Sequence, residues 1–443
     1  MFRKTTMTSV CFITQGCSAN QADSEQMKGL LKEARFEIVD SVEEGDVIIL
    51  NSCTVKSPTE SSFFTTLENI KKEYPYKIII IAGCIAQADR QKFKEYSLIG
   101  TKQIHNVVQV VEESLNDNVV KMLETGEMPP LNLPKIRKNP IVEIIPINRG
   151  CLSACTFCKT KQARGNLQSY PIADIVSVAQ KAVNDGVKEI WLTSQDTMCY
   201  GFDLGTNLPH LLNELIKIPG KFKIRVGMGN PVHLLKFIDE LIPLLNHDKV
   251  FKFIHLPAQS GSDTVLKEMR RGNTAEEFLD LVIKLKDQVP HLTLATDLIV
   301  GFPTETDDDF WQTLEVVRKT TPDVINISRF WPRPKTPAAK MEQLPIEVMK
   351  HRTKVLTDIF HNISTLQNER WLGWEGEIII DEQGTHENQW IGRNDSYKPV
   401  LVEGNFTLGE VVTVAITKTT TFDLRGERPK AAPINDSIIS RNN

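Results

Sequence analysis

Short apolar runs alternate with helix-period segments along the first part of the chain. Three runs rich in β-branched residues predict strands: SVCFI (9–13), DVIIL (46–50) and KIIIIA (77–82). Helical stretches follow these runs, and the first runs through SEQMKGLLKEA (24–34). Buried strands separated by helices are typical of a parallel sheet. Residues 1–126 are therefore predicted to form a parallel α/β domain.

The alternation returns after a proline-rich stretch, EMPPLNLPKIRKNP (127–140), which predicts a basic linker. Thr274 and Glu277 open a long helical segment (274–289) with the spacing of a capping box. Six strand–helix units predict that residues 141–370 form an open, partial (βα)6 barrel. The pattern alone does not separate this fold from a doubly wound sheet. The predicted strands are 142–147, 189–193, 223–227, 251–256, 292–300 and 324–330.

The last part of the chain has short alternating runs, such as EGEIII (375–380) and EVVTVAIT (410–417). Such runs predict a small antiparallel β-barrel over residues 371–430, followed by a polar tail over 431–443. Residues 371–427 contain ten acidic and four basic side chains, so this barrel is acidic. Either a small basic face survives on it, or it positions other parts of the chain.

Composition excludes several classes of protein. The 443 residues contain no uninterrupted apolar run of the roughly 18 residues that a membrane span needs. The apolar stretch at the N-terminus is too short for a signal peptide. Eight cysteines in a chain of this length are too few for a disulfide scaffold, which indicates a reducing cytoplasm. The net charge of −4 predicts no global attraction for a polyanion, so any contact with nucleic acid is local.

The segment RGCLSACTFC (149–158) spaces three thiols as C-x3-C-x2-C at the end of a strand. Cys151, Cys155 and Cys158, the loop cysteine set, provide soft thiolate ligands of the kind that iron–sulfur clusters use. Three ligands on a four-iron cluster leave one iron open to a small molecule with amino and carboxylate groups, such as S-adenosylmethionine (SAM). The alternatives are a zinc site that lacks its fourth ligand, or cysteines placed there by chance.

Cys17, Cys53 and Cys84, the N-terminal cysteine set, each follow a predicted strand. The carboxyl ends of parallel strands meet at one edge, where ligands bind. Three converging thiolates again describe a cluster with one open iron, although separate cysteines can also be core residues. Cys11 lies inside a strand and is predicted to be buried, and Cys199 is predicted to be incidental.

The motifs as a group resemble the methylthiotransferase family of radical SAM enzymes over nearly the whole chain, and the tail resembles a TRAM domain. Asn273 departs from the pattern, because relatives commonly have tyrosine after the RRG motif. The matching segments are GCSANQADSE (16–25), NSCTVK (51–56), GCIAQ (83–87), RGCLSACTFC (149–158), ARG (163–165), RVGMGNP (225–231), HLPAQSGSDTVLKEMRRG (255–272), TDLIVGFPTETDDDF (296–310) and RPKTPAA (333–339).

The resemblance implies two [4Fe–4S] clusters, one on each cysteine set. The loop cluster would cleave SAM to a radical, the N-terminal cluster would deliver sulfur, and a second SAM would supply the methyl group. It also implies a low-potential electron donor and a sulfur source as partners. Polar or glycine positions at later strand ends are candidates for SAM contacts. They are Gln195, Asn230, Gln259, Asp297 and Gly301.

The segment CKTKQARGNLQSYPI (158–172) resembles the threonylcarbamoyl branch of the family in archaea and eukaryotes. This resemblance implies methylthiolation at C2 of the modified adenosine 3′ of the anticodon in tRNA. The alternatives are isopentenyladenosine, a ribosomal-protein aspartate, or a non-catalytic iron–sulfur protein that binds RNA. Basic side chains around the predicted catalytic mouth are candidate RNA contacts or else an ordinary solvated surface. They are Lys159, Lys161, Arg164, Arg329 and Arg333.

Overall fold

The computed structural model describes residues 7–54, 57–123 and 126–429, so the predicted tail over 431–443 lies outside the described residues. The strands are β1 (Ser9–Gln15), β2 (Glu37–Val39), β3 (Val47–Ser52), β4 (Ile78–Gly83), β5 (Ser97–Ile99), β6 (Lys121–Met122), β7 (Val142–Pro146), β8 (Asn148–Arg149), β9 (Gln168–Ser169), β10 (Glu189–Thr193), β11 (Lys223–Val226), β12 (Phe253–His255), β13 (Thr293–Val300), β14 (Val324–Arg329), β15 (Glu375–Gln383), β16 (Gln389–Arg393), β17 (Pro399–Glu403), β18 (Val411–Thr419) and β19 (Leu424–Glu427). The α-helices are α1 (Ser18–Glu33), α2 (Ser57–Glu73), α3 (Cys84–Ala88), α4 (Val107–Leu115), α5 (Thr160–Arg164), α6 (Ile172–Asn184), α7 (Leu208–Leu215), α8 (Pro231–Leu234), α9 (Ile238–Leu245), α10 (Asp263–Met269), α11 (Ala275–Gln288), α12 (Asp307–Thr320) and α13 (Ile346–Glu369).

The N-terminal sheet has six parallel strands in the order β2-β1-β3-β4-β5-β6. Its central strand β3 is buried along its whole length, which explains its continuous apolar sequence. Helices α1 and α4 cover one face through a core that includes Met27 and Val110, and α2 covers the other through Phe63. The predicted parallel α/β fold is confirmed, with β1, β3 and β4 as neighbours.

The central region contains two three-stranded parallel sheets, β7-β10-β11 and β12-β13-β14. A single parallel bridge from Ile224 to Val250 joins the edge of β11 to the chain just before β12. These six strands are the six that the pattern predicts, and they form an open (βα)6 barrel. The capping box is also present, because Thr274 Oγ1 accepts from the Glu277 amide at 3.1 Å and Glu277 Oε2 accepts from the Thr274 amide at 2.8 Å.

The linker packs closely against both neighbouring regions. Lys135 and Arg137 both pair with Glu143, a fully buried carboxylate on β7. The Ile136 amide donates to the Glu25 carbonyl of α1 at 2.9 Å. A Cβ added at Gly29 of α1 would come within 2.2 Å of the linker backbone. The basic charge of this stretch therefore neutralises a buried acid. The predicted boundaries between the domains and the linker, at residues 126, 140, 370 and 430, stay a prediction.

The C-terminal region is a closed barrel in the order β15-β16-β17-β19-β18. Its strands are antiparallel except that β17 and β19 run parallel. The barrel docks on the central region through an aromatic cage, formed by Trp191, Phe253 and Tyr397 around the Arg225 guanidinium. The ring centroids lie 5.2, 5.1 and 5.0 Å from Arg225 Cζ, respectively. Within the described ranges, the helices are all too short or too polar to cross a membrane.

Candidate functional site

The N-terminal cysteine set lies at the carboxyl ends of three adjacent strands. Cys17 follows β1, Cys53 follows β3, and Cys84 is the first residue of α3 directly after β4. The Cys53 amide donates to the Gln15 carbonyl at 2.9 Å, which holds the first two strand ends together. Gly83 has a φ of +85°, and a Cβ there would lie 2.2 Å from Asn51 Oδ1. The predicted convergence is therefore built by neighbouring strands and one required glycine.

Electrostatics around this set favour one thiolate. The pKa of Cys84 is lowered to about 6, because the Cys53 thiol hydrogen-bonds to it and the Arg164 guanidinium attracts its charge; these effects outweigh its burial. Arg164 Nε donates to Cys84 Sγ at 3.3 Å. Thiolates are the form that binds metal, so Cys84 is prepared for ligation near neutral pH.

The loop cysteine set is partly buried at the end of β8. The Cys158 amide donates to the Cys155 carbonyl at 3.2 Å, so the loop turns back on itself. Burial raises the pKa of the Cys151 thiol to about 12 and also raises the pKa of Cys158. Arg271 Nη1 donates to Cys155 Sγ at 3.5 Å and so brings a cation to the loop. A bound metal would have to displace protons from these thiols.

Lys159 connects the two cysteine sets. It directly follows Cys158, is 1% exposed, and forms an ion pair with Asp89 at the end of α3. Its Nζ also donates to Thr54 Oγ1 at 3.2 Å, and Thr54 directly follows Cys53. A buried bridge therefore links the loop that carries one cysteine set to two of the segments that carry the other.

The predicted SAM contacts fall into two groups: two of them hydrogen-bond to the loop of the cysteines, and the other three hydrogen-bond elsewhere in the central region. Gln195 Oε1 accepts from the Gly150 amide at 2.8 Å, and Asn230 Nδ2 donates to Ser153 Oγ at 3.1 Å, so both side chains hold the loop of the cysteines. Asn230 Oδ1 is buried without a hydrogen-bond partner among the described atoms, which leaves an acceptor for a ligand beside the loop. Gln259 adopts a φ of +71°, and its backbone amide donates to the backbone carbonyl of Asp297 at 2.8 Å.

Asp297 and Gly301 have defined protein partners. Asp297 Oδ1 accepts from Asn326 Nδ2 at 2.6 Å and lies 3.0 Å from His255 Nε2. The Gly301 amide donates to Glu305 Oε2 at 2.8 Å, and a Cβ at Gly301 would meet Met349 Cγ at 2.2 Å. Gly301 is therefore a glycine because of close packing and a φ of +77°.

The five candidate RNA contacts differ in exposure. Lys159, Arg164 and Arg333 are buried, at 1, 3 and 6% exposure. Arg333 Nη1 donates to Glu60 Oε2 of α2 at 3.0 Å, and Arg333 is within electrostatic range of both Cys53 and Cys158. We therefore assign these three side chains to contacts between the N-terminal and central regions.

Lys161 and Arg329 retain access to solvent. Lys161, Cys151 and Phe202 line a cavity of about 610 Å³ beside the cysteine loop. Lys236 also lines this cavity, and its Nζ lies 4.7 Å from the centroid of the Phe202 ring. The cavity thus offers two cations and an apolar ring next to a predicted cluster ligand.

The remaining two cysteines are buried. Cys11 is 1% exposed in the sheet core, as predicted. Cys199 lies with Asp196 and His233 in a group whose ligand-type atoms are within 4.8 Å of one another. Asp196 Oδ1 accepts from the Met198 amide at 3.1 Å, and Asp196 Oδ2 lies 2.7 Å from His233 Nδ1. Protein partners therefore account for both carboxylate oxygens.

Three sequence-family models match consecutive parts of the chain. They are described as Uncharacterized protein family UPF0004 (residues 9–100), Radical SAM superfamily (145–317) and TRAM domain (370–428). The fold resembles the radical SAM methyltransferase TsrM from Kitasatospora setae with tryptophan and a SAM analogue bound, with a TM-score of 0.55 and 12% identity over 75% of each chain. It also resembles the cobalamin-dependent radical SAM enzyme OxsB, with a TM-score of 0.52 and 15% identity over 80% of this chain and 55% of that one. These matches define the class: a radical SAM fold followed by a TRAM domain.

Curated relatives narrow the class to one family. The threonylcarbamoyladenosine tRNA methylthiotransferase of Homo sapiens is 43% identical over 439 residues, which span 97% of this chain and 75% of the relative. The probable threonylcarbamoyladenosine tRNA methylthiotransferase of Pyrococcus abyssi is 38% identical over 423 residues, which span 93% of this chain and 98% of the relative. The chain belongs to the threonylcarbamoyladenosine tRNA methylthiotransferase family, and it is a transferase.

Proposed function

We propose that this enzyme adds a methylthio group to C2 of N6-threonylcarbamoyladenosine next to the anticodon of tRNA, in the cytoplasm. The observation that carries the proposal is the pair of cysteine triads, which lie at strand ends of two different regions but are tied together by buried ion pairs. Two such sites would allow one cluster to generate the radical and the other to supply the sulfur atom. The relatives named above support tRNA as the substrate.

The donor sets suit iron–sulfur clusters. All eight cysteines lie within the described residues, and none of them forms a disulfide. Each triad offers three soft ligands, which leaves a fourth position for SAM or for sulfur. Cationic side chains touch both sets, Arg164 at Cys84 and Arg271 at Cys155, and these would offset the negative charge of a thiolate-bound cluster. When bound, the two clusters would supply the electron that cleaves SAM and the sulfur that is transferred.

The chain's own residues would position the reactants. Asn230 Oδ1, buried and unpaired among described atoms, is our proposed acceptor for a SAM donor group. We propose Lys161 and Arg329 as contacts to tRNA phosphates at the mouth of the site. The cavity beside Cys151 would receive the modified base next to the loop cysteine set. A low-potential electron donor and a sulfur source complete the proposed set of partners.

Nucleoside mass spectrometry of tRNA tests the substrate. Cells that carry the gene should contain the methylthio derivative of threonylcarbamoyladenosine, and cells with Cys84→Ala in the chain should not. An unchanged level of this derivative would contradict the proposal, and a loss of the isopentenyladenosine derivative would point to that substrate instead. Formation of 5′-deoxyadenosine after reduction with SAM, lost in a Cys155→Ala variant, separates catalysis from simple RNA binding.

A further inference from the structure

Arg164 belongs to the central region, yet it contacts a cysteine of the N-terminal region. It ends α5, a helix that begins two residues after Cys158. Its side chain is 2% exposed, its Nε donates to Cys84 Sγ at 3.3 Å, and its Nη2 lies 2.9 Å from Asp23 Oδ2 of α1. One guanidinium therefore bridges a thiol and a carboxylate of the other region.

Carboxylates alone do not balance the buried charges around Arg164. Arg149 is also buried, and its Nη2 pairs with Asp23 Oδ1 at 2.9 Å, so two guanidinium ions share one carboxylate. The other donors of Arg149 bond to neutral acceptors, the Thr101 carbonyl at 2.8 Å and the Tyr170 hydroxyl at 3.1 Å. A buried cation without a counter-charge is unfavourable. Cys84, as a thiolate or as a thiolate ligand of a cluster, is the group placed to supply the second negative charge beside Arg164.

We propose that Arg164 is a positioning residue for the cluster on the N-terminal cysteine set: its hydrogen bond and charge stabilise that cluster and raise its reduction potential. Hydrogen bonds to the sulfur atoms and net charge are the means by which a protein adjusts cluster potentials. A cation stabilises the reduced form more, because that form is more negative. This inference rests on the proposed presence of the second cluster.

The test uses the full chain with Cys151, Cys155 and Cys158 replaced by alanine, so that only the N-terminal set can bind iron. Three variants are compared in this background: Arg164→Gln, Arg164→Lys and Arg352→Gln. Arg352 is a matched control, because it is a buried arginine paired with Glu305 and Asp307. The readouts are iron per chain and the midpoint potential from a titration monitored by electron paramagnetic resonance.

We expect Arg164→Gln to lower the equilibrium constant for reduction at least tenfold, which is about 59 mV for one electron. Arg164→Lys keeps the charge without the Nε geometry and should give an intermediate potential, and Arg352→Gln should leave it unchanged. If Arg164→Gln binds no iron, Arg164→Lys decides the question alone. Unchanged potentials in the Arg164 variants, or an equal shift in the control, would overturn the inference. A background protein that binds no iron would instead contradict the second cluster itself.

Discussion

Removing one member of the buried ion pair between Lys159 and Asp89 should destabilise the fold, whereas replacing both members with apolar side chains should cost little. The two side chains are 1% and 8% exposed, so water screens them little. Lys159→Met would leave the Asp89 carboxylate buried with only the Thr54 hydroxyl, 3.1 Å away, as a partner among the contacts described. Breaking a buried pair typically costs about 3–5 kcal/mol, and the remaining hydroxyl favours the lower end, about 3 kcal/mol.

The double variant Lys159→Met/Asp89→Leu should lose much less stability than either single variant. Replacing both charges with apolar groups removes the desolvation cost along with the attraction, which is often close to neutral. Because two single costs of about 3 kcal/mol each would be replaced by a double cost smaller than either, a double-mutant cycle on the apoprotein, measured by urea unfolding, should give a coupling energy of at least about 3 kcal/mol between the two positions. Lys161→Met is the control, since this partly exposed lysine should change stability by less than about 0.5 kcal/mol.

The same variants distinguish an inter-domain contact from an RNA contact. If Lys159 only joins the two regions, Lys159→Met should leave the salt dependence of tRNA binding unchanged. Lys161→Met should reduce the slope of log K against log salt by about 1, as expected for one lost phosphate contact. Additive single costs in the cycle, or a reduced salt slope for Lys159→Met, would refute the reasoning.

Three further predictions concern the frame around the site. Tyr397→Ala removes the ring that closes the aromatic cage and should loosen the C-terminal barrel by about 3 kcal/mol, seen as faster proteolysis near the end of α13. Burial, reinforced by the nearby Asp381 carboxylate, raises the pKa of Glu189 to about 7. The folded state therefore binds an extra proton, and stability should fall as pH rises from about 4.5 to 7. Glu189→Gln should reduce this slope in urea titrations, and the slope that remains is expected from Glu25, Glu305 and Asp381, whose pKa values burial also raises. Gly301→Ala would place a Cβ 2.2 Å from Met349 Cγ and should lower the melting temperature, whereas Gly165→Ala, which meets nothing within 4 Å at a similar φ, should cost only the backbone strain.

The strands could be predicted from the sequence because their burial imposes a local pattern. The run EIWLT became β10 with the predicted ends, and Thr274 caps α11 through contacts within three residues. Helix α1 shows the limit of such reasoning. It begins at Ser18, whereas the sequence pattern predicts a helical stretch over 24–34. The first turns escape the pattern because they contain Asn20 and Asp23, which are polar but fully buried. Their burial serves the cysteine site, which a hydrophobic pattern does not reveal.

The roles of the basic residues could not be predicted, because they depend on partners far away in the chain. Lys159 and Asp89 are 70 positions apart, and Arg164 and Asp23 are 141 apart. In sequence, Lys159 and Lys161 are equivalent cations beside a cysteine motif, whereas the fold buries the first and leaves the second partly exposed. The parallel pairing of β17 with β19 likewise follows from barrel closure and has no local signal.

Helix α5 connects the segment of the loop cysteine set to the N-terminal region. Lys159 at its start and Arg164 at its end both enter the N-terminal region, and they pair there with Asp89 and Asp23. Transfer between a radical site and a sulfur site demands that both reach one carbon atom, and a misplacement of about 1 Å can cost a hundredfold in rate. Two ion pairs at opposite ends of one short helix fix both its translation and its rotation. The helix that follows the loop cysteines is therefore held against the N-terminal region at both of its ends, which helps to fix the position of one cysteine set relative to the other.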